Sequence, residues 1–185
     1  MEDNHSVLSK ELPKKQSSWK RKVLKWGASF SLAFFIVFLI KWFCIEPFLV
    51  VGKSMEPTLH TGEVVLVNKI SPWFQDFHRG EIIVFPYPKN PRQKLIKRIV
   101  GLENEEIEIQ NGVVRINGKA YSEPYALPPL SPRHIGPLLV PKGCFFVLGD
   151  NRNCSLDSRK GWVVLKNNII GKASYVLIPH FHKIK

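Results

Sequence analysis

The chemistry of this chain can be sought first at Ser54, which lies in the stretch Gly52-Lys53-Ser54-Met55-Glu56-Pro57-Thr58-Leu59. Pro57 cannot continue a helix or a central strand, so the stretch predicts a bend. A serine on a bend can present its hydroxyl as a nucleophile, although most turn serines only satisfy local backbone groups. Whether Ser54 is a nucleophile therefore depends on a base supplied elsewhere in the chain.

Lys97 is the candidate base, within the apolar-rich run LIKRIV at residues 95–100. In a strand, alternation sends Lys97 and Arg98 to opposite faces, so we expect one of the two to point toward a buried or cleft face. Arginine stays charged almost anywhere, whereas a desolvated lysine can lose its proton and deprotonate a serine. Taken alone, the segment favours a lysine on an edge strand that discourages aggregation.

A third polar stretch, GDNRNCSLDSR at residues 149–159, follows a short apolar run. Its two aspartates and two arginines can form internal ion pairs, and Ser155 can orient a neighbouring amine. The alternative is a surface turn, because Asp, Asn, Gly and Ser are the usual turn residues. The stretch therefore indicates a hydrogen-bonded loop without fixing its role.

The 185 residues carry a formal net charge of +12, which suggests an anionic partner such as nucleic acid or a membrane surface. Much of that charge precedes one apolar segment, and the rest of the chain has no basic run longer than two residues. We therefore expect no nucleic-acid binding.

The apolar segment runs from Trp26 to Ile45 and contains one charge, Lys41. Twenty helical residues span about 30 Å, the thickness of the bilayer hydrocarbon, which predicts a transmembrane helix. A cleaved signal peptide is disfavoured because no small-x-small site follows, and a buried soluble helix because no polar face is present. Residues 1–25 are then a cytoplasmic basic tail, and residues 46–185 lie outside the plasma membrane.

Residues 46–185 predict one mainly β domain, because about 140 residues can close a single core. Short β-branched or aromatic runs alternate with turn signals, and Asn111-Gly112 predicts a hairpin. Residues 121–143 are rich in proline and predict an extended loop. The predicted strands are residues 63–68, 81–85, 94–100, 105–110, 113–116, 145–148, 162–165 and 169–177.

Three cysteines occur, and Cys144 and Cys154 could form a disulfide outside the cell or remain two free thiols. A metal site from these two with His180 and His182 lacks any CxxC or HExxH spacing, so we expect no metal and no cofactor.

Four motifs follow one another behind the apolar segment: SMEPT from Ser54, RGEIIVF at 79–85, KRIVG from Lys97, and GDNR at 149–152 with SLDSR at 155–159. In this order they resemble the bacterial type I signal peptidases, over residues 26 to about 165, and in particular the shorter members with one anchor. The resemblance implies an antiparallel β fold on one N-terminal transmembrane helix and a serine endopeptidase activity. It overturns the edge-strand interpretation of Lys97.

The resemblance also implies residue roles. Ser54 matches the nucleophile and Lys97 the general base, while Ser155 matches the hydroxyl that orients the lysine amine. Two pairs of residues, Arg98 with Asp150 and Asp157 with Arg159, match the family's structural ion pairs. The Ser54 backbone N–H matches an oxyanion donor, and Gly52 replaces the serine that supplies a second donor in some members.

The implied substrates are preproteins, whose signal peptides are cut after small residues in an Ala-x-Ala pattern. Six apolar residues are expected to line the substrate pockets and to surround Ser54 and Lys97 with apolar side chains. They are Phe48, Val50, Met55, Leu59, Leu95 and Ile96. The lipid bilayer is the second expected partner.

Other functions remain open at this point. A specialised peptidase for one conjugative or pilus substrate fits the same motifs. A catalytically inactive anchored β module that binds peptides fits the fold. Soluble self-cleaving repressors use the same Ser and Lys, but they carry a DNA-binding domain where this chain has its apolar segment.

Overall fold

The computed structural model describes residues 18–74, 76–130 and 134–184. A largely apolar sequence that contains no proline forms helix α1, Ser18–Cys44. Residues 1–40 and 41–185 are separate units. Within α1, Lys22–Leu39 is long and apolar enough to cross a membrane, and none of it is buried. Of the predicted tail 1–25, residues 1–17 lie outside the described residues, and 18–25 belong to α1.

The predicted end of this helix at Ile45 is wrong by one residue, because Ile45 already begins a strand. The cause is Pro47, which disfavours helical backbone at the residue before it.

Short antiparallel strands make up most of the rest, which confirms the predicted mainly β class. In chain order they are β1 (Ile45–Leu49), β2 (Val64–Asn68), β3 (Ile82–Tyr87), β4 (Asn90–Gly101), β5 (Glu106–Gln110), β6 (Val113–Ile116), β7 (Lys119–Ala120), β8 (Ile135–Leu139), β9 (Cys144–Leu148), β10 (Val164–Leu165), β11 (Gly171–Ile178) and β12 (His182–Lys183). The short helices are α2 (Ser71–Phe74) and two 3-10 turns, Ser158–Lys160 and Lys166–Asn168.

Two sheets result from these pairings. The larger runs β1-β2-β11-β3-β4-β9-β10, with β12 beside β11, and the smaller runs β7-β6-β5-β8. The late strand β11 thus lies between β2 and β3, which are close together in the sequence. Of the polar residues singled out above, Lys97 and Arg98 lie in β4, Ser54 lies in the loop between β1 and β2, and the others lie in the loop after β9.

Strand β4 packs against three apolar clusters, so neither of its faces is open to solvent near its end. Ile96 belongs to a first cluster, which includes Met55 and Leu59. Ile99 belongs to a second with Phe85 and Trp162, and Val100 to a third with Ile107 and Phe146. The prediction that one of Lys97 and Arg98 points to a buried face therefore holds for both, since each residue is 2% exposed.

The proline-rich segment 121–143 was expected to be an extended loop, and this is wrong for its second half, which contains β8. Strand β8 holds Pro137 and lies at the edge of the smaller sheet. An edge position tolerates the missing N–H of proline, which is why a proline-rich sequence can still form a strand there. Cys144 and Cys154 are free thiols, so the possible disulfide is absent.

Candidate active site

Ser54 lies on a tight turn between β1 and β2. Gly52 takes a φ of +95°, in the left-handed region that favours glycine. The Leu59 N–H donates to the Met55 carbonyl at 2.9 Å, and both side chains are fully buried. The turn is therefore anchored by its apolar residues, while the serine just before Met55 stays partly exposed.

The Lys97 amine reaches this turn from β4. Its Nζ lies 2.7 Å from Ser54 Oγ and 2.7 Å from the Ile96 carbonyl oxygen. Burial lowers the pKa of Lys97 to about 8, against the opposing effect of the Asp157 and Asp150 carboxylates, which favour the charged amine. A lysine with this pKa is largely neutral in mildly alkaline solution and can take a proton from the serine hydroxyl.

The Arg98 guanidinium lies on the other face of β4 and makes a paired contact with Asp150. Arg98 Nε donates to Asp150 Oδ1 at 2.9 Å, and its NH2 group donates to Oδ2 at 2.6 Å. Thr58 Oγ1 also donates to Asp150 Oδ2 at 2.5 Å, and Arg98 donates to the Gly80 carbonyl. The structure thus links β4, the turn after Ser54 and the loop after β9 through one buried carboxylate.

Asp157 and Arg159 form a second paired contact in the loop after β9. Arg159 Nε and NH2 donate to the two Asp157 oxygens at 2.8 and 2.9 Å. Asp157 also accepts from the Gly149 N–H at 3.2 Å and caps the 3-10 turn that begins at Ser158. The fully buried carboxylate therefore holds both ends of the loop.

Gly149 allows this loop to approach the nucleophile turn. A Cβ at this position would lie 2.4 Å from the Ser54 carbonyl oxygen and 2.2 Å from Ser155 Oγ. The neighbouring Asn151 N–H donates to the same Ser54 carbonyl at 3.1 Å. Only glycine fits here, because any side chain would push the turn and the loop apart.

Ser155 lies in this contact region, but the expected hydrogen bond to Lys97 is absent. The Ser155 hydroxyl is buried and has no hydrogen-bond partner among the residues that the structure describes. The Ile96 carbonyl, rather than Ser155, accepts from the lysine amine. A buried hydroxyl without a partner is costly, so Ser155 can bond a group that approaches this turn.

The six apolar residues expected around the site do not form one surface. Val50, Met55, Leu59 and Ile96 share the first cluster, and Phe48 packs against it. Leu95 lies in the second cluster, on the same face of β4 as Lys97, whereas Ile96 shares the face of Arg98. The reason is alternation along β4, which sends neighbouring residues to opposite faces.

Three further residues support the site and were not singled out from the sequence. Thr58 bonds Asp150, as described above. The Tyr125 ring lies 4.0 Å from the Arg98 guanidinium carbon, and Glu123 accepts from the buried Arg152 at 2.6 Å. Only the threonine could have been found, because it belongs to the Ser54 motif. The other two come from the proline-rich segment, whose course no local pattern predicts.

The fold and the site together define a serine hydrolase on a mainly β domain. The family model described as signal peptidase, peptidase S26, matches residues 23–178. The chain belongs to this family and is a serine peptidase.

Its relatives include a signal peptidase I of Bacillus amyloliquefaciens, which is 35% identical over 97% of this chain and 98% of that protein. Signal peptidase I T of Bacillus subtilis strain 168 is 34% identical, covering 96% and 95%. Signal peptidase IB of Staphylococcus aureus strain COL is 32% identical, covering 86% and 92%. A crystal structure of a signal peptidase I from Enterococcus faecalis V583 is 31% identical, with a TM-score of 0.47 over 54% of this chain and 98% of that one.

Proposed function

We propose that this chain is a membrane-bound endopeptidase that removes N-terminal signal peptides from exported preproteins. The observation that carries the proposal is the 2.7 Å contact between Ser54 Oγ and the buried Lys97 amine. The relatives named signal peptidase I support the substrate class.

In the proposed reaction, neutral Lys97 takes the Ser54 proton as Oγ attacks the carbonyl carbon of the scissile bond. The Ser54 backbone N–H donates to the resulting oxyanion, since Gly52 has no side chain to offer. Lys97 then returns the proton to the leaving amine, which frees the mature protein and leaves an acyl-enzyme. A water that gives its proton to Lys97 hydrolyses this ester, and the proton returns to Ser54.

The two ion pairs are proposed to position the reacting groups without touching substrate. The Arg98–Asp150 pair fixes β4 against the turn that carries Ser54. The Asp157–Arg159 pair holds the loop that contacts the Ser54 carbonyl. Ser155, whose hydroxyl has no partner, is proposed to contact the lysine or the substrate once substrate is bound.

Cleavage after small residues follows from the packing of the first apolar cluster. Met55 and Leu59 are fully buried and Ile96 is 5% exposed, so pockets bordered by them and by Phe48 and Val50 are shallow. The substrate would lie extended along β4, which pairs with β9 only from Arg98 onward among the described residues. Its earlier residues have one free edge that can accept a peptide strand.

We propose that α1 anchors the enzyme in the plasma membrane, with the N-terminus in the cytoplasm and the catalytic domain outside. The 18-residue apolar window supports the anchor, and the basic residues before it support the orientation. The lipid bilayer is thus a proposed partner and nucleic acid is not. The catalytic residues are all side chains of this chain, and we propose no metal or cofactor.

The proposed function is tested with full-length protein in detergent and a preprotein that carries an Ala-x-Ala site. Wild type should release the mature protein at pH 8–9, and Ser54→Ala and Lys97→Met should each lose about 10⁴-fold or more in rate. The matched controls Ser122→Ala and Lys89→Met, at exposed positions, should keep the wild-type rate.

Two results would contradict this proposal. If wild type binds the preprotein without cutting it, the chain is a binding module. If Lys97→Met cuts as fast as wild type, another group is the base.

A further inference from the structure

A cavity of about 370 Å³ lies beside the proposed active site, between the loop after β9 and the smaller sheet. Among its lining residues are Ile109 and Ile135 from the sheet, and Arg152, Ser155, Arg159 and Lys160 from the loop. Among the described residues no Asp or Glu lines it, and three of the lining residues are cationic. The cavity is therefore a positively charged site with an apolar wall.

The three cations differ in how far their charge is neutralised. Arg152 is buried and pairs with Glu123 at 2.6 Å, and Arg159 pairs with Asp157. Lys160 is exposed, and among the described residues it has no ion pair. Lys160 is thus the positive charge that remains available to a ligand.

The cavity lies next to the turn that carries the nucleophile, at the close contact around Gly149. Ser155 lines it, and Ser155 Oγ and the Ser54 carbonyl oxygen both lie within 2.4 Å of the position that a Cβ on Gly149 would take. A peptide bound at Ser54 can therefore extend into the cavity within a few residues, each of which spans about 3.3 Å when extended.

Strand order determines which part of the peptide this is. The first apolar cluster, proposed to hold the residues before the cleaved bond, is built on strands on the β3 side of β4. The cavity lies on the β9 side, at the loop that follows that strand. A peptide on the free edge of β4 reaches the point where Arg98 pairs with Leu148 of β9, so its later residues leave β4 beside the loop that follows β9 and lines the cavity.

We propose that this cavity binds the substrate residues that follow the cleaved bond and favours an acidic side chain there. The inference rests on the proposed function. A carboxylate on the second to fourth residue after the bond would pair with the Lys160 ammonium, and the unpartnered Ser155 hydroxyl would donate to a peptide carbonyl. The Ile109 and Ile135 side chains would contact the apolar part of the peptide.

The test uses peptides that share one Ala-x-Ala site and differ only at the second to fourth positions after it, as Asp, Asn or Lys. Wild type should cut the Asp peptide about two- to fivefold faster in kcat/KM than the Asn peptide, the range typical of an exposed ion pair. The Lys peptide should be slower than both, and added salt should reduce the differences.

A charge-reversal variant assigns the preference to Lys160. Lys160→Glu should invert the order of the Asp and Lys peptides. Lys89→Glu makes the same change in net charge in the turn between β3 and β4, outside the cavity, and should keep the wild-type order.

Each remaining outcome counts against a defined statement. Equal rates for all three peptides with wild type would overturn the inference and leave the proposed function intact. The same preference in Lys160→Glu as in wild type would overturn the assignment to this cavity. If none of the peptides and no preprotein is cut, the proposed function itself fails.

Discussion

Lys97 and Arg98 are neighbours in β4, equally buried, and both are cations, yet their surroundings are opposite. Arg98 has a carboxylate with two contacts, a backbone carbonyl and an aromatic ring around it. Among the described residues, the hydrogen-bond partners of Lys97 are a neutral hydroxyl and a carbonyl, and the nearest effects of carboxylates come from Asp157 and Asp150 without direct contact. Burial is thus compensated on one face of the strand and left uncompensated on the other.

This difference separates a structural cation from a reactive one. An arginine cannot lose its proton in a protein, so its burial requires a partner. A lysine can avoid the cost of a buried charge by becoming neutral, and a neutral amine is a base. The same desolvation therefore stabilises framework contacts at Arg98 and prepares a proton acceptor at Lys97.

The largest expected effect comes from removing the partner of Arg98. Asp150→Asn leaves a buried guanidinium without its carboxylate, which should lower the free energy of unfolding by about 3–5 kcal/mol. For a domain of this size the melting temperature should fall by about 10 °C. Asp76→Asn removes an exposed carboxylate from a surface pair with Lys166 and should leave the melting temperature unchanged. A drop of under 2 °C for Asp150→Asn would mean that the pair is not a framework contact.

Removing Lys97 should have the opposite sign. Its pKa is about 8 in the folded protein and 10.5 ordinarily, so below pH 8 the folded state holds a charge that the unfolded state solvates better. At pH 7 the free energy of unfolding of Lys97→Met should therefore exceed that of wild type by up to about 3 kcal/mol. This gain should disappear between pH 8 and 10.5, where the unfolded lysine also loses its proton.

Denaturant titrations at pH 7 and pH 10.5 measure that difference, with Lys89→Met as the exposed control. If Lys97→Met is less stable than wild type at pH 7, the lysine is a compensated cation like Arg98.

The rate of cleavage should report the same pKa. Because the reactive form of Lys97 is neutral, kcat/KM should rise about tenfold per pH unit up to about pH 8 and level off above it. Initial rates on a peptide at pH 5.5–9.5 measure this, with circular dichroism at each pH to show that the protein stays folded. A flat profile between pH 6 and 9 would exclude a lysine base with this pKa.

The smallest effect should come from the hydroxyl that contacts the compensated pair. Thr58→Val keeps the shape but removes a hydrogen bond to Asp150, which should cost about 1–2 kcal/mol in unfolding experiments. Thr58→Ser should recover most of it, and Thr61→Val, at an exposed position, should be neutral. A loss equal to that of Asp150→Asn would show that the threonine, and not the arginine, holds the carboxylate.

The sequence predicts the local part of this site well. Most strands and the bend at Ser54 follow from short patterns, and alternation predicts opposite faces for Lys97 and Arg98. The pattern does not predict that both faces are covered, because the cover comes from segments far along the chain. Tyr125 and Asp150 both contact Arg98 from the second half of the sequence.

The same limit explains the other errors. Leu95 and Ile96 were expected on one surface, although alternation places Leu95 on the face of Lys97 and Ile96 on the face of Arg98. The Ser155 hydroxyl was placed by motif, and motifs do not determine hydrogen-bond distances. Strand β8 was not predicted because proline argues against a strand except at a sheet edge, and the sequence does not show which strands lie at an edge.

The position of β11 has a consequence for the newly made chain. Ser54 follows β1, Lys97 lies on β4, and β11, from residues 171–178, is the strand inserted between β2 and β3. The β-sheet hydrogen bonds between the half that carries Ser54 and the half that carries Lys97 run through these late residues. The complete sheet around the proposed site therefore forms only after nearly the whole chain has been synthesised.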